Sequence, residues 1–124
     1  MQGNIRKARV EDALGITTVK VRSWQMAYKG IVHQAYLDAM DIPKIAQRTE
    51  SWLLATDAPD EHWVYEDDNG IGGWACMWRP TRDEDLGKDV AEIAAIYLLP
   101  QYWGQAIGYE MFEKCLEILN NKSA

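Results

Sequence analysis

Residues 90–108 constrain this chain more than any other stretch. Val90 to Leu98 carries few charges, the make-up of a strand buried on both faces. Pro100 to Gly108 then forms a glycine-containing turn that leads into a helix. In that helix Ile107, Met111, Cys115 and Ile118 face one way, while Glu110, Glu113, Lys114 and Glu117 face water. Small residues stand at Gly104, Ala106 and Gly108. Without bulky side chains, successive N–H groups there can point into one concavity at the positive end of the helix, an arrangement that binds a pyrophosphate. The turn lacks the Gly-Lys-Ser/Thr of a P-loop. It also falls too late in the chain, with no second βα unit after it, for a dinucleotide fingerprint.

The remaining chain supplies the other elements. Asn4 to Arg9 alternates as a short strand, and Asp12 stands where it can cap a helix over Ala13 to Tyr28. In that helix Leu14, Val21 and Tyr28 share a stripe with Trp24, with Ile16, Val19 and Met26 on an adjacent one. Gly30 ends it. A second helix is expected from Gln34 to Met40, and a third from Pro43 to Leu54. Thr56 to Asp60 reads as a loop, and His62 to Glu66 as a strand. Asp68-Asn69-Gly70 is a hairpin turn, followed by a strand from Ile71 to Trp78. Gly72 and Gly73 in that strand indicate a bulge or a close backbone approach. Arg79 to Asp89, with Arg82 and the Asp83-Glu84-Asp85 cluster, reads as a solvated loop. The expected fold is therefore α/β (α+β): a mixed, mainly antiparallel sheet of about four strands flanked by helices, forming one domain over residues 1–124.

Composition narrows the partners. A net charge of -6 repels a phosphate-rich polymer, which argues against nucleic acid. No stretch is long and apolar enough to cross a bilayer, so a membrane partner is not expected. Cys76 and Cys115 lie in apolar surroundings without a CxxC or Cys/His cluster and read as buried, reduced thiols of a cytoplasmic protein. His33 and His62 have no metal-ligand spacing around them, so no metal site is expected. Six tryptophans and six tyrosines in so short a chain must line a pocket or fill a core.

The segment Tyr97-Leu98-Leu99-Pro100-Gln101-Tyr102-Trp103-Gly104-Gln105-Ala106-Ile107-Gly108 resembles the acyl-CoA pyrophosphate loop of the GNAT superfamily of N-acetyltransferases. The family pattern Arg/Gln-x-x-Gly-x-Gly/Ala falls on Trp103 to Gly108. Trp103 replaces the usual Arg or Gln, and Ala106 replaces the first patterned glycine. Ile5 to Ala13 is similar to the family's opening strand and first helix. Ser23 to Val32 is similar to a segment of one bacterial subgroup that acts on small molecules or peptides.

The resemblance implies transfer of an acetyl group from acetyl-CoA, or another acyl-CoA, to an amine of a small molecule or peptide. It implies that Ile96 and Leu98 offer main-chain groups to the pantetheine arm, with Tyr97 between them in the cofactor site. It likewise implies contacts from Trp103, Gly104, Gln105, Ala106, Ile107 and Gly108 to the pyrophosphate. An N–H near Leu98 would hold the oxyanion. Glu92 would be the general base, and an apolar strand around it would raise its pKa. Trp24 and Tyr28, one turn apart, would wall the acceptor site. Tyr102 and Trp103 are left open between covering the adenine or ribose and meeting a second subunit.

Family members continue with another strand, a helix and a hairpin, whereas this sequence closes at Asn120 to Ala124. The expectation is a fold short of its C-terminal part. Val90 to Leu98 would then present an open edge that invites a homodimer. Two rivals remain: an acyl-CoA-binding protein without turnover, and an interaction module that binds no CoA.

Overall fold

A computed structural model describes residues 3–55, 60–78 and 91–122. Val90 and the Arg79, Arg82 and Asp83–Asp85 stretch of the expected loop lie outside the described residues. Four strands form one sheet in the order β1 (Asn4–Lys7), β2 (Asp60–Asp67), β3 (Gly70–Trp78), β4 (Glu92–Leu98). Every pairing in it is antiparallel, so the parallel component of the expected mixed sheet is not found among the described residues. Between β1 and β2 run α1 (Ala13–Ala27), α2 (Gln34–Asp38) and α3 (Ile42–Leu54); α4 (Ile107–Lys122) follows β4. Asp60, expected in a loop, opens β2 and pairs with Trp78.

Alternation along β3 sorts the side chains into two cores. Ala75 and Met77 pack with Tyr65 and with Ile107, Met111, Cys115 and Ile118 of α4, so the predicted apolar stripe of α4 is the buried one. Trp74 and Cys76 pack on the other face with Val64 and with Ile16 and Val19 of α1. On α1 the buried face also takes in Thr17 and Ser23, which places Leu14 and Met26 in solvent. The two threonines Thr17 and Thr49 hydrogen-bond at 2.9 Å, which satisfies both hydroxyls where α1 meets α3.

Gly72 and Gly73 mark both a bulge and close approaches. The register of β2 against β3 slips between Tyr65 and Glu66, leaving Gly72 as the extra residue. A Cβ on Gly72 would run into the ring of Tyr102, and one on Gly73 would lie 2.8 Å from Leu98 Cδ2. Tyr102 thus closes over Gly72, donates its O–H to Asp67 at 2.5 Å and sets its ring edge-on to Tyr65. It is an anchor that ties the turn after β4 to the β2–β3 hairpin.

Asp12 does not cap α1. Its carboxylate is drawn back to the Arg6 guanidinium, at 2.8 and 3.0 Å, and to the Arg9 N–H at 2.7 Å. Burial alone would raise the Asp12 pKa, but these bonds hold it below its ordinary value. Arg6 also reaches Glu66 at 3.1 Å, so one guanidinium fastens β1 both to the start of α1 and to β2.

Candidate active site at the β4 edge

β4 is an edge strand among the described residues, and its backbone alternates in what it offers that edge. Leu98 faces Gly73, and Leu99 N–H bonds Gly72 C=O at 2.9 Å. That makes Leu98 and Gly73 a non-hydrogen-bonded pair, whose own N–H and C=O point away from each other. The same parity holds for Ile96 opposite Ala75. Ile96 and Leu98 therefore turn their main-chain groups outward. Tyr97 turns its own toward β3 and contributes a side chain instead, stacked on Trp74 at 5.8 Å and 2°. The two residues expected to offer main-chain groups, Ile96 and Leu98, are the two whose groups face outward, with Tyr97 between them.

A cavity of about 210 Å³ opens at this edge, lined by Ser23, Trp24, Ala27 and Tyr28 of α1, by Ile96, Tyr97 and Leu98 of β4, and by Trp103. Trp24 and Tyr28, expected to face the acceptor, thus share one space with Ile96, Tyr97, Leu98 and Trp103 of the expected acyl-CoA site, whereas Gly104 to Gly108 do not line it. Trp24 and Tyr28 form a tilted aromatic pair 4.5 Å apart. The Leu98 C=O accepts two hydrogen bonds there, from Ser23 Oγ at 2.5 Å and from Trp103 Nε1 at 2.9 Å. The Ser23 bond was not legible in the sequence, because Ser23 lies 75 residues before its partner.

The turn after β4 continues from the cavity to the N-terminus of α4. Gly104 has φ +80° and Ala106 has φ +66°, two left-handed residues separated by Gln105. The first bond of α4 is Glu110 N–H to Ala106 C=O at 3.1 Å. The N–H groups of Ile107, Gly108 and Tyr109 therefore emerge from the helix end, where they and the helix dipole favour an anion. No lysine or arginine lies between Leu99 and Glu110, so the attraction is built from the backbone. A Cβ on Gly108 would point at Leu98 Cδ1, 3.4 Å away, and not into the concavity.

Glu92 stands at the other end of β4, opposite Trp78. Six residues of strand put it about 20 Å from Leu98. It is outside the cavity, and a bulge lies between: Cys76 pairs with Ala95 and Met77 with Ile93, leaving Ala94 unmatched. Bulges of this kind re-aim strands beside active sites.

On the α1 face a second polar cluster is enclosed. Asp60, His62 and Cys76 bring ligand atoms within 4.8 Å of one another, a juxtaposition produced by the β2–β3 register and invisible to sequence spacing. Trp74 Nε1 donates to His62 Nδ1 at 3.1 Å, and His62 Nε2 lies 2.7 Å from Asp60 Oδ2. An indole N–H only donates, so Nδ1 accepts and Nε2 carries the proton toward Asp60. A metal on Nε2 would move that proton to Nδ1, against another N–H; the pattern suits a neutral, fully bonded histidine. Burial lowers the His62 pKa, against the Asp60 hydrogen bond that raises it. Lys20 lies over the rings of Trp52 and Trp74, 5.5 and 5.2 Å from their centroids, and burial lowers its pKa too. The two cysteines are unpaired with each other and buried in opposite cores, and burial pushes the Cys115 thiol up to about 11. Among the described residues no helix is long and apolar enough to cross a membrane.

Comparison with known proteins places this architecture. The Bacillus subtilis (strain 168) protein "Uncharacterized N-acetyltransferase YuaI" is 30% identical over 115 residues, 93% of this chain and 63% of YuaI. The chain thus spans less than two thirds of that relative. An N-acetyltransferase of Archaeoglobus fulgidus, also described as uncharacterized, is 30% identical over 115 residues, covering 91% of this chain and 71% of that protein. Among solved structures, PaiA N-acetyltransferase from Thermoplasma acidophilum in complex with coenzyme A shares the fold with a TM-score of 0.70 at 22% identity, over 98% of this chain and 74% of that one. A GNAT family acetyltransferase from Brucella melitensis in complex with acetyl-CoA does so with a TM-score of 0.68 at 22% identity, over 98% and 71%. The profile of the acetyltransferase (GNAT) family matches residues 19–124, and the chain belongs to that family.

Proposed function

We propose that this chain carries the acyl-CoA site of an N-acetyltransferase, moving an acetyl group from acetyl-CoA to an amine of a small molecule or peptide. The observation that carries the reading is the cavity at the β4 edge, whose lining residue Trp103 opens the turn that leads to the N–H groups at the start of α4. In this reading residues 103–108 take the pyrophosphate. The outward N–H and C=O groups of Ile96 and Leu98 take the extended pantetheine arm as a sheet edge takes a strand. The same N–H groups are donors for charge developing on the thioester oxygen. Trp24 and Tyr28 wall the acceptor. Glu92 lies outside the cavity and beyond the bulge at Ala94, so in this reading it takes the amine proton through water and not by direct contact. The thioester C–S bond breaks as the amide C–N bond forms, and the sulfur leaves as CoA thiolate.

Two further parts of the reading concern the setting. Cys76 and Cys115, both buried and not joined in a disulfide, suit a reducing, cytoplasmic location. A homodimer is supported by Tyr109, Phe112 and Leu116, which stand exposed on α4.

The test is release of CoA thiol from acetyl-CoA against a panel of primary amines. The account expects turnover with at least one amine. In Glu92→Gln it expects turnover depressed by about 100-fold or more, with acetyl-CoA affinity little changed. Full activity in Glu92→Gln at every pH would show that Glu92 is structural. Acetyl-CoA binding without release for any amine would favour the non-catalytic binding protein.

A further inference from the structure

The geometry points to Trp103 as a built-in stand-in for the acyl-CoA arm: its indole lines the cavity and holds the Leu98 carbonyl until the ligand displaces it. The inference rests on the acyl-CoA reading above and goes beyond it in assigning Trp103 opposition to binding. Leu98 C=O points to the outer edge of β4, where an extended ligand with amide N–H groups would pair. A carbonyl oxygen has two lone pairs. Ser23 Oγ takes one at 2.5 Å, and Trp103 Nε1 takes the other at 2.9 Å. A ligand amide can bond this oxygen only if one donor leaves.

Ser23 is fixed. It is buried at 4% exposure in the middle of α1, and its hydroxyl bridges α1 to β4. Trp103 is the donor that can move. It is 45% exposed although it lines the cavity. Its backbone sits between a 3-10 turn (Pro100–Tyr102) and Gly104, whose positive φ and open surroundings leave the turn uncrowded. Tyr102 next to it is anchored on Asp67 and Gly72, so the indole can swing without dislodging the turn. The residue is thus large, apolar and hydrogen-bonded to a group the ligand needs, with little packing behind it.

The test compares acetyl-CoA affinity of the wild-type chain with that of Trp103→Phe and Trp103→Ala by calorimetry. Indole N–H signals are followed by NMR alongside; six are present, and the Trp103 signal is the one lost in Trp103→Phe. Releasing one neutral hydrogen bond before binding should weaken the wild type by about 2- to 10-fold. Both variants should therefore bind acetyl-CoA tighter by about that factor. The Trp103 indole signal should move upfield as acetyl-CoA is added to the wild type. Equal or weaker binding by the variants, or an indole signal that does not move while acetyl-CoA binds, overturns the inference and leaves the acyl-CoA site standing. No binding by the wild type or either variant overturns the acyl-CoA site itself, and the inference with it.

Discussion

Ala106 holds a backbone conformation that its side chain disfavours. At φ +66° its Cβ crowds the following carbonyl, which costs an L-residue about 1–2 kcal/mol. Gly104, two residues earlier, meets the same demand at φ +80° without a Cβ. The strain at Ala106 thus sits in the turn where the pyrophosphate site is proposed. Ala106→Gly removes the strain, but it also gives the unfolded chain more freedom, which offsets roughly 0.4–1 kcal/mol. The net expectation is a gain of about 0.5–1 kcal/mol, read as a rise of a few degrees in Tm by calorimetry. A fall in Tm would mean that Ala106 is not left-handed in the folded protein.

At the scale of elements, β2, β3, α1 and α3 meet around one aromatic row. His62 stacks with Trp74 at 5.8 Å and meets the edge of Trp52 at 4.7 Å, and Trp74 stacks with Tyr97. The row depends on a neutral His62, because its Nδ1 must accept from Trp74. The folded pKa lies below the ordinary 6.5, so below that pH the unfolded chain binds a proton that the folded chain refuses. This contribution is fully present above about pH 6.5 and is lost as the pH falls toward the folded value, by up to about 1.4 kcal/mol per pH unit. Urea unfolding between pH 7 and pH 5 should show that slope, and His62→Gln should flatten it. An unchanged slope in His62→Gln would place the titration elsewhere. Such a cluster has no short-range signal. Asp60 and His62 meet Cys76 and Trp74 only through the β2–β3 register, and Trp52 arrives from α3. The same holds for Tyr102, whose partner Asp67 lies 35 residues away, and for Asp12, which Arg6 draws from its capping role. What the sequence does express is period. The α4 stripe at Ile107, Met111, Cys115 and Ile118 and the alternation of β3 both correspond to buried faces.

For the whole molecule, the two helical layers leave the outer side of β4 as the place where main-chain donors, aromatic side chains and a helix N-terminus converge. The motif at 97–108 was legible as a resemblance because it is local. Its junction with α1 through Ser23 and Trp103 was not, since it depends on how α1 crosses the sheet. The central claim is that acyl-CoA lies along this edge with its pyrophosphate at the turn. A 1H–15N NMR titration with acetyl-CoA tests it most directly. The account predicts the largest amide shifts at Gly104, Ile107 and Gly108 and at Ile96 and Leu98, with Asp60 and His62 essentially still. Shifts concentrated away from 96–108, or no shift at millimolar acetyl-CoA, would contradict it.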